Sequence, residues 1–167
     1  PSSARWTKST DGPAITRLIH KGAEPVTHSE ISLRDMAYLI AWIATGLCFA
    51  VIDAIWLTNA VPRIYRPMIG ELLAPRVNMG AAIAFYLIYV TGIVFFAVRP
   101  ALDEASLAKA AFYGAAFGFF AYATYDLTSQ AVLKVWDTRL TIIDMAWGTV
   151  ATALAAAAGY AAAARFG

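Results

Sequence analysis

The sequence predicts an all-α fold: an integral membrane bundle of four transmembrane helices preceded by a polar N-terminal arm. Three observations predict it. Of the 167 residues, 60% are hydrophobic and only 14% are charged, whereas a soluble domain sits near half apolar and about a quarter charged. The apolar residues fall in blocks of roughly 20, the length that crosses about 30 Å of hydrocarbon at 1.5 Å per residue. The links between blocks carry the prolines and charges and leave little chain for a soluble domain.

Residues 1–35 read as the polar arm. Asp11-Gly12-Pro13 and Glu24-Pro25 are turn signals, and Ile15, Leu18 and Ile19 give residues 14–21 one apolar helical face. Ser29, or Ser32 with Asp35 behind it, is placed to cap the helix that follows. The first span covers about residues 36–58, bracketed by Trp42 and Trp56 in the manner of interfacial aromatics. A mostly polar stretch precedes it rather than a short basic one, so it reads as a retained signal anchor.

Residues 59–79 read as a polar loop. Pro62, Pro67 and Pro75 argue against a long regular helix there. Ile64, Tyr65, Met68, Leu72 and Leu73 give the loop an apolar side that could lie on the membrane surface. The second span covers about residues 80–98, with Arg99-Pro100 as its stop. The third covers about residues 107–133 and carries Gly114 and Gly118 at the four-residue spacing that lets helices approach closely. The fourth covers about residues 140–164 and is rich in alanine. Domain organisation is thus an arm, 1–35, and a membrane domain, 36–164. Short links make spans two and three, and three and four, antiparallel neighbours. Lys and Arg near the span ends are nearly balanced, so the positive-inside rule gives no orientation.

Several function classes are excluded or unsupported. A net charge of +2 with no basic run gives no footprint for nucleic acid. The single cysteine, Cys48, forms no internal disulfide and reads as a small buried apolar residue. His20 and His28 lie outside the spans without ligand spacing, so no metal is expected. Phosphate-loop, serine-hydrolase and zinc-protease motifs are absent, and no cofactor is indicated.

Chemistry concentrates on three aspartates inside the spans: Asp53, Asp126 and Asp144. Acidic groups at such depth are costly in lipid and normally face the bundle interior. Asp53 lies near the end of the first span, Asp126 near the end of the third and Asp144 near the start of the fourth. Each is therefore roughly 6–10 Å inside the same membrane edge, beside the loop 59–79. Tyr86, Tyr89, Tyr122 and Tyr125 belong to the same half. Tyr122 and Asp126 share a helix face at i, i+4, as do Asp144, Trp147 and Gly148, while Asp53 shares one with Trp56. Thr128 adds a hydroxyl nearby. The expectation is a pocket lined by Asp53, Trp56, Tyr86, Tyr89, Tyr122, Tyr125, Asp126, Thr128, Asp144 and Trp147. The competing structural reading is that Asp–Tyr and Asp–Trp hydrogen bonds simply tie the four helices together.

The segments carrying these residues are Val51-Ile52-Asp53-Ala54-Ile55-Trp56-Leu57, Phe85-Tyr86-Leu87-Ile88-Tyr89-Val90, Tyr122-Ala123-Thr124-Tyr125-Asp126-Leu127-Thr128 and Asp144-Met145-Ala146-Trp147-Gly148-Thr149. Together they resemble a family of small bacterial four-helix inner-membrane proteins of unknown function, over about residues 36–160. The resemblance implies a multi-pass protein of the bacterial inner membrane and brings no activity with it.

Three functions fit these residues. The first is a membrane binding protein or accessory subunit of a larger membrane complex, holding a lipid, isoprenoid, quinone or pigment. The second is a membrane enzyme acting on a lipid or isoprenoid, with catalytic candidates Asp53, Asp126 and Asp144. The third is a proton-coupled transporter. Expected partners are membrane lipids, a small amphipathic ligand, and a larger complex or a second copy of the chain.

Overall fold

Each long helix after the first starts at a polar side chain that accepts a free N–H of the opening turn. Asn78 Oδ1 accepts from the Ala81 amide at 3.1 Å, Ser106 Oγ from Lys109 at 3.3 Å, and Asp137 Oδ1 from Arg139 at 2.6 Å. The computed structural model describes the backbone of residues 28–167 and the side chains of residues 33–167. In order, the helices are α1 (His28–Ala60), α2 (Arg66–Ile69), α3 (Met79–Ile93), α4 (Arg99–Asp103), α5 (Leu107–Val132) and α6 (Thr138–Phe166). No strand occurs among the described residues. The turns at Asp11-Gly12-Pro13 and Glu24-Pro25 and the helical piece at 14–21 lie outside the described residues. Ser29 and Ser32 fall within α1 rather than before it, since that helix already runs from His28.

Two expected breaks are not breaks. The chain stays helical from α1 through a π-helical turn (Val61–Tyr65), α2 and a 3₁₀ turn (Gly70–Leu72). Likewise α3 passes through a second π-helical turn (Val94–Val98) into α4, so Arg99-Pro100 does not end the span. The reason is the same in both places. A proline ring clashes with the carbonyl four residues earlier and donates no hydrogen bond. For Pro67 and Pro100 that carbonyl belongs to Arg63 and Phe96, each in the middle of a π turn. There the wider i→i−5 bonds, Arg66 N–H to Val61 O and Arg99 N–H to Val94 O, replace the α-helical ones. The second span therefore ends at the turn around Ala105, whose φ is 48°.

Three of the segments are long and apolar enough to cross a membrane: Leu33–Leu72, Met79–Asp103 and Thr138–Phe166. The fourth, α5, has 26 residues. That length reaches about 39 Å, but no stretch of it is as apolar as those in the other three. Side chains follow a membrane pattern. Leu39, Ile43, Leu47, Val51 and Ile55 form one outward stripe on α1, while Ala41, Thr45, Phe49 and Asp53 form the buried one. Apolar groups face the surroundings, and several polar groups face inward.

The helices close into a ring. On α5, Gly114 and Gly118 lie against α6. A Cβ on Gly114 would come within 2.6 Å of Ala156 Cβ and 2.8 Å of the Thr152 carbonyl, and one on Gly118 would strike Gly148 and Thr152. The neighbouring α6 stripe, Ala151, Ala155, Gly159 and Ala163, is buried, and a Cβ on Gly159 would strike Thr45 and Ala41 of α1. Phe49 of α1 meets Tyr86 and Tyr89 of α3. The ring is completed where Val94–Val98 packs on α5. The preceding helix, α3, stays close to α5 only through aromatic side chains, because its backbone diverges from α5 towards Met79.

Candidate functional site

The divergence of α3 from α5 opens a cleft in one half of the bundle. It is the half that holds the end of α1, the start of α3, the end of α5 and the start of α6. Asp53, Asp126 and Asp144 are 6%, 0% and 4% exposed there, so all three carboxyl groups point into protein rather than lipid.

Their partners differ. Asp53 Oδ2 accepts from the Tyr86 hydroxyl at 2.6 Å, joining α1 to α3. Asp144 Oδ1 accepts from the Tyr65 hydroxyl. Tyr65 in turn accepts from Trp56 Nε1 at 3.3 Å, so a chain of donors runs from α1 through the first π turn to α6. Trp56 stacks flat on Trp147, with centroids 4.4 Å apart and planes 7° from parallel. The Thr152 hydroxyl donates its one proton to the Gly148 carbonyl at 2.6 Å. It must therefore accept from Tyr89, which lies 2.7 Å away. Both oxygens of Asp126 and Nε1 of Trp147 are buried without a hydrogen-bond partner among the described residues. Buried polar atoms are paired in the great majority of cases; Thr45 Oγ1, beside Gly159, is the one other unpaired buried side-chain atom among the described residues.

Two hollows lie between these groups. One of about 450 Å³ is lined by Phe85, Tyr89, Ala121, Tyr122, Tyr125 and Asp144, and follows the α3–α5 cleft. The other, of about 250 Å³, lies among α1, α3 and α6 and is lined by Asp53, Trp56, Leu57, Tyr65, Ala82, Phe85, Tyr86, Tyr122 and Trp147. Phe85 and Tyr122 border both. Tyr122 is seated by Gly148, where any side chain would overlap its ring.

Of the ten residues singled out from the sequence, eight line one hollow or the other. Asp126 is buried one helical turn beyond Tyr122 on the same α5 face. Thr128 is not brought to the site: it is exposed and its hydroxyl bonds the carbonyls of Thr124 and Tyr125. That is the usual way a threonine hydroxyl is satisfied inside a helix. Beyond it, Gln130, Thr138, Thr141 and Trp136 bond one another and fasten the α5–α6 link. Tyr65, Phe85 and Ala121 were not among the ten. Tyr65 is the largest omission, because a proline-rich stretch gives no helical register from which to place its ring. Among the described residues no group of three metal-ligating side chains is gathered for an ion.

The fold and site define a class: a small helical membrane protein with three buried carboxyl groups in one half of its bundle. A family profile described as "Predicted membrane protein (DUF2177)" matches residues 38–161, and the chain belongs to that family. No curated protein and no solved structure gives a significant match.

Proposed function

We propose that this protein holds a small amphipathic molecule within one leaflet of the bacterial inner membrane, alone or as the accessory subunit of a larger membrane complex. The observation that supports this most is the hollow of about 450 Å³ along the α3–α5 cleft, apolar and aromatic on its walls with the Asp144 carboxyl in its lining. Ligand sites are typically of this size, largely apolar, with a few convergent polar groups. A lipid, isoprenoid, quinone or pigment has the matching form. Such a molecule can enter sideways from the bilayer between α3 and α5, without crossing water.

Mild-detergent purification from the native membrane, with mass spectrometry of co-purifying small molecules and proteins, tests the reading. A stoichiometric amphiphile is expected, and Tyr122→Ala should lose it. A protein that arrives empty and alone from several mild detergents would overturn it.

One observation favours a second reading, a membrane enzyme acting on a lipid or isoprenoid. A buried carboxyl without a partner, such as Asp126, has the character of a general acid or base. Under that reading Asp126→Asn abolishes turnover of the bound molecule while the protein stays folded.

A further inference from the structure

The smaller hollow is distinctive in its chemistry. Its walls are mainly aromatic side chains, together with Asp53 and with Tyr65, the partner of Asp144. Neither Asp53 nor Asp144 makes an ion pair among the described residues. The ion pairs present, Arg34–Asp103 and Lys109–Glu104, lie at the opposite end of the helices. Arg63 and Arg66, the nearest arginines in sequence to Tyr65, are exposed, and Arg66 lines a separate surface hollow with Glu71 and Val135.

Each of these two carboxyl groups accepts one tyrosine hydroxyl, although a carboxylate offers about four lone-pair sites. Asp126 accepts none and is fully buried. Trp147 Nε1 is an unpaired donor beside them, but among the described residues acceptors outnumber donors and no cation lines the hollow. A phosphate or carboxylate head would meet acceptor oxygens rather than a cation there. A positive head would meet carboxyl groups and the rings of Tyr65, Tyr86 and Tyr122, which carry partial negative charge on their faces. An ammonium group is attracted to such faces, more strongly when desolvated.

We infer that the occupant of this pocket carries a positively charged ammonium head, seated between Asp53 and the ring of Tyr122 in the smaller hollow. Its apolar chain runs along the α3–α5 cleft. The inference rests on the proposed amphiphile-binding role and narrows it to one class of head group. Phe85 and Tyr122, which border both hollows, set the point where head gives way to chain.

The test uses the full chain in dodecyl maltoside micelles, whose sugar head is neutral. Tryptophan fluorescence reports on the site, since Trp56 and Trp147 line it. Four probes are titrated: dodecyltrimethylammonium, dodecanol, dodecyl phosphate and tetramethylammonium. Dodecyltrimethylammonium should bind about tenfold tighter than dodecanol, with dodecyl phosphate weakest. Asp53→Asn, whose amide oxygen still accepts from Tyr86, should reduce that preference severalfold. Equal binding of dodecanol and the ammonium probe, or tighter binding of the phosphate, overturns the inference and leaves the binding role standing. Failure of all three chain-bearing probes overturns the binding role itself. If tetramethylammonium binds as tightly as its long-chain counterpart, the head chemistry stands and the occupant is a free cation. The wild-type series decides the matter even if Asp53→Asn does not fold.

Discussion

The Tyr86 hydroxyl reaches Asp53 Oδ2 at 2.6 Å and ties α3 to α1 where a lone carboxyl would be costly. Tyr86→Phe leaves the carboxyl buried with one acceptor unmet, which costs about 1–3 kcal/mol. Asp53→Asn keeps an acceptor for the hydroxyl and should cost less. Thermal unfolding in detergent should therefore order the proteins as wild type, Asp53→Asn, then Tyr86→Phe. Equal melting of Tyr86→Phe and wild type would mean that the bond does not support the bundle.

Glycine spacing makes a sharper test of packing. A Cβ at Gly118 would collide with the backbone oxygen of Gly148 and the side chain of Thr152, and α6 backbone cannot simply rotate away. Gly118→Ala should force α5 off α6 and lower stability by about 1–3 kcal/mol. Gly70 has nothing within 4 Å of such a Cβ, so Gly70→Ala should fall within about 0.5 kcal/mol of wild type. Denaturant unfolding of the pair measures the contrast, and a similar loss in both would refute the close α5–α6 approach.

Much of this architecture was legible because two periodicities carry it. Blocks of about 20 apolar residues mark the spans, and four-residue spacing places Tyr122 with Asp126 and Gly114 with Gly118. Counting residues from each span end put three aspartates in one half of the bundle, and all three are buried there. What escaped depends on bonds rather than on spacing. Pro67 and Pro100 read as stops, because a sequence does not show that a π turn will move the clashing carbonyl aside. Once residues 59–79 read as loop, Tyr65 had no register, and its bond to Asp144 was out of reach. Thr128 has the right depth but the wrong face, two residues beyond Asp126 on a helix that turns about 100° per residue.

Asp126 offers a test in the opposite direction. Its two oxygens are buried without partners, which is a cost that folding alone does not explain. Asp126→Val removes the unmet groups while keeping similar bulk. It should raise stability by about 1–3 kcal/mol and, by repacking the adjacent Tyr122 turn rather than by direct contact, reduce retention of the co-purifying amphiphile. Sites kept for function commonly show this exchange of stability for activity. A fall in melting temperature for Asp126→Val would instead assign the carboxyl a structural role.

The Trp56–Trp147 stack has a spectroscopic signature. Two indoles 4.4 Å apart and nearly parallel couple their transitions, so circular dichroism should contain an exciton couplet. Trp56→Phe and Trp147→Phe should each abolish it, whereas Trp42→Phe, whose indole bonds Thr91 elsewhere, should not. Loss of the stack should also cost about 0.5–1.5 kcal/mol. A couplet that survives either single substitution would show that the rings do not stack.

Crossing of the membrane can be read from chemical access. Cys48 is the one cysteine, so a Cys48→Ala background makes each introduced thiol unique. Glu71 lies near the end of the segment Leu33–Leu72, ahead of Met79–Asp103, a 25-residue helical segment that Glu104 directly follows. That segment measures about 37 Å end to end, enough to place the two glutamates on opposite faces of a bilayer. In sealed vesicles an impermeant maleimide should label only one of Glu71→Cys and Glu104→Cys from outside, and the other only after the vesicles are opened. Leu47→Cys sits mid-stripe on the outward face of α1 and should react with a lipid-soluble maleimide alone. Labelling of both glutamate positions from the same side of intact vesicles would contradict a span between them, and the pocket would then need another membrane to lie in.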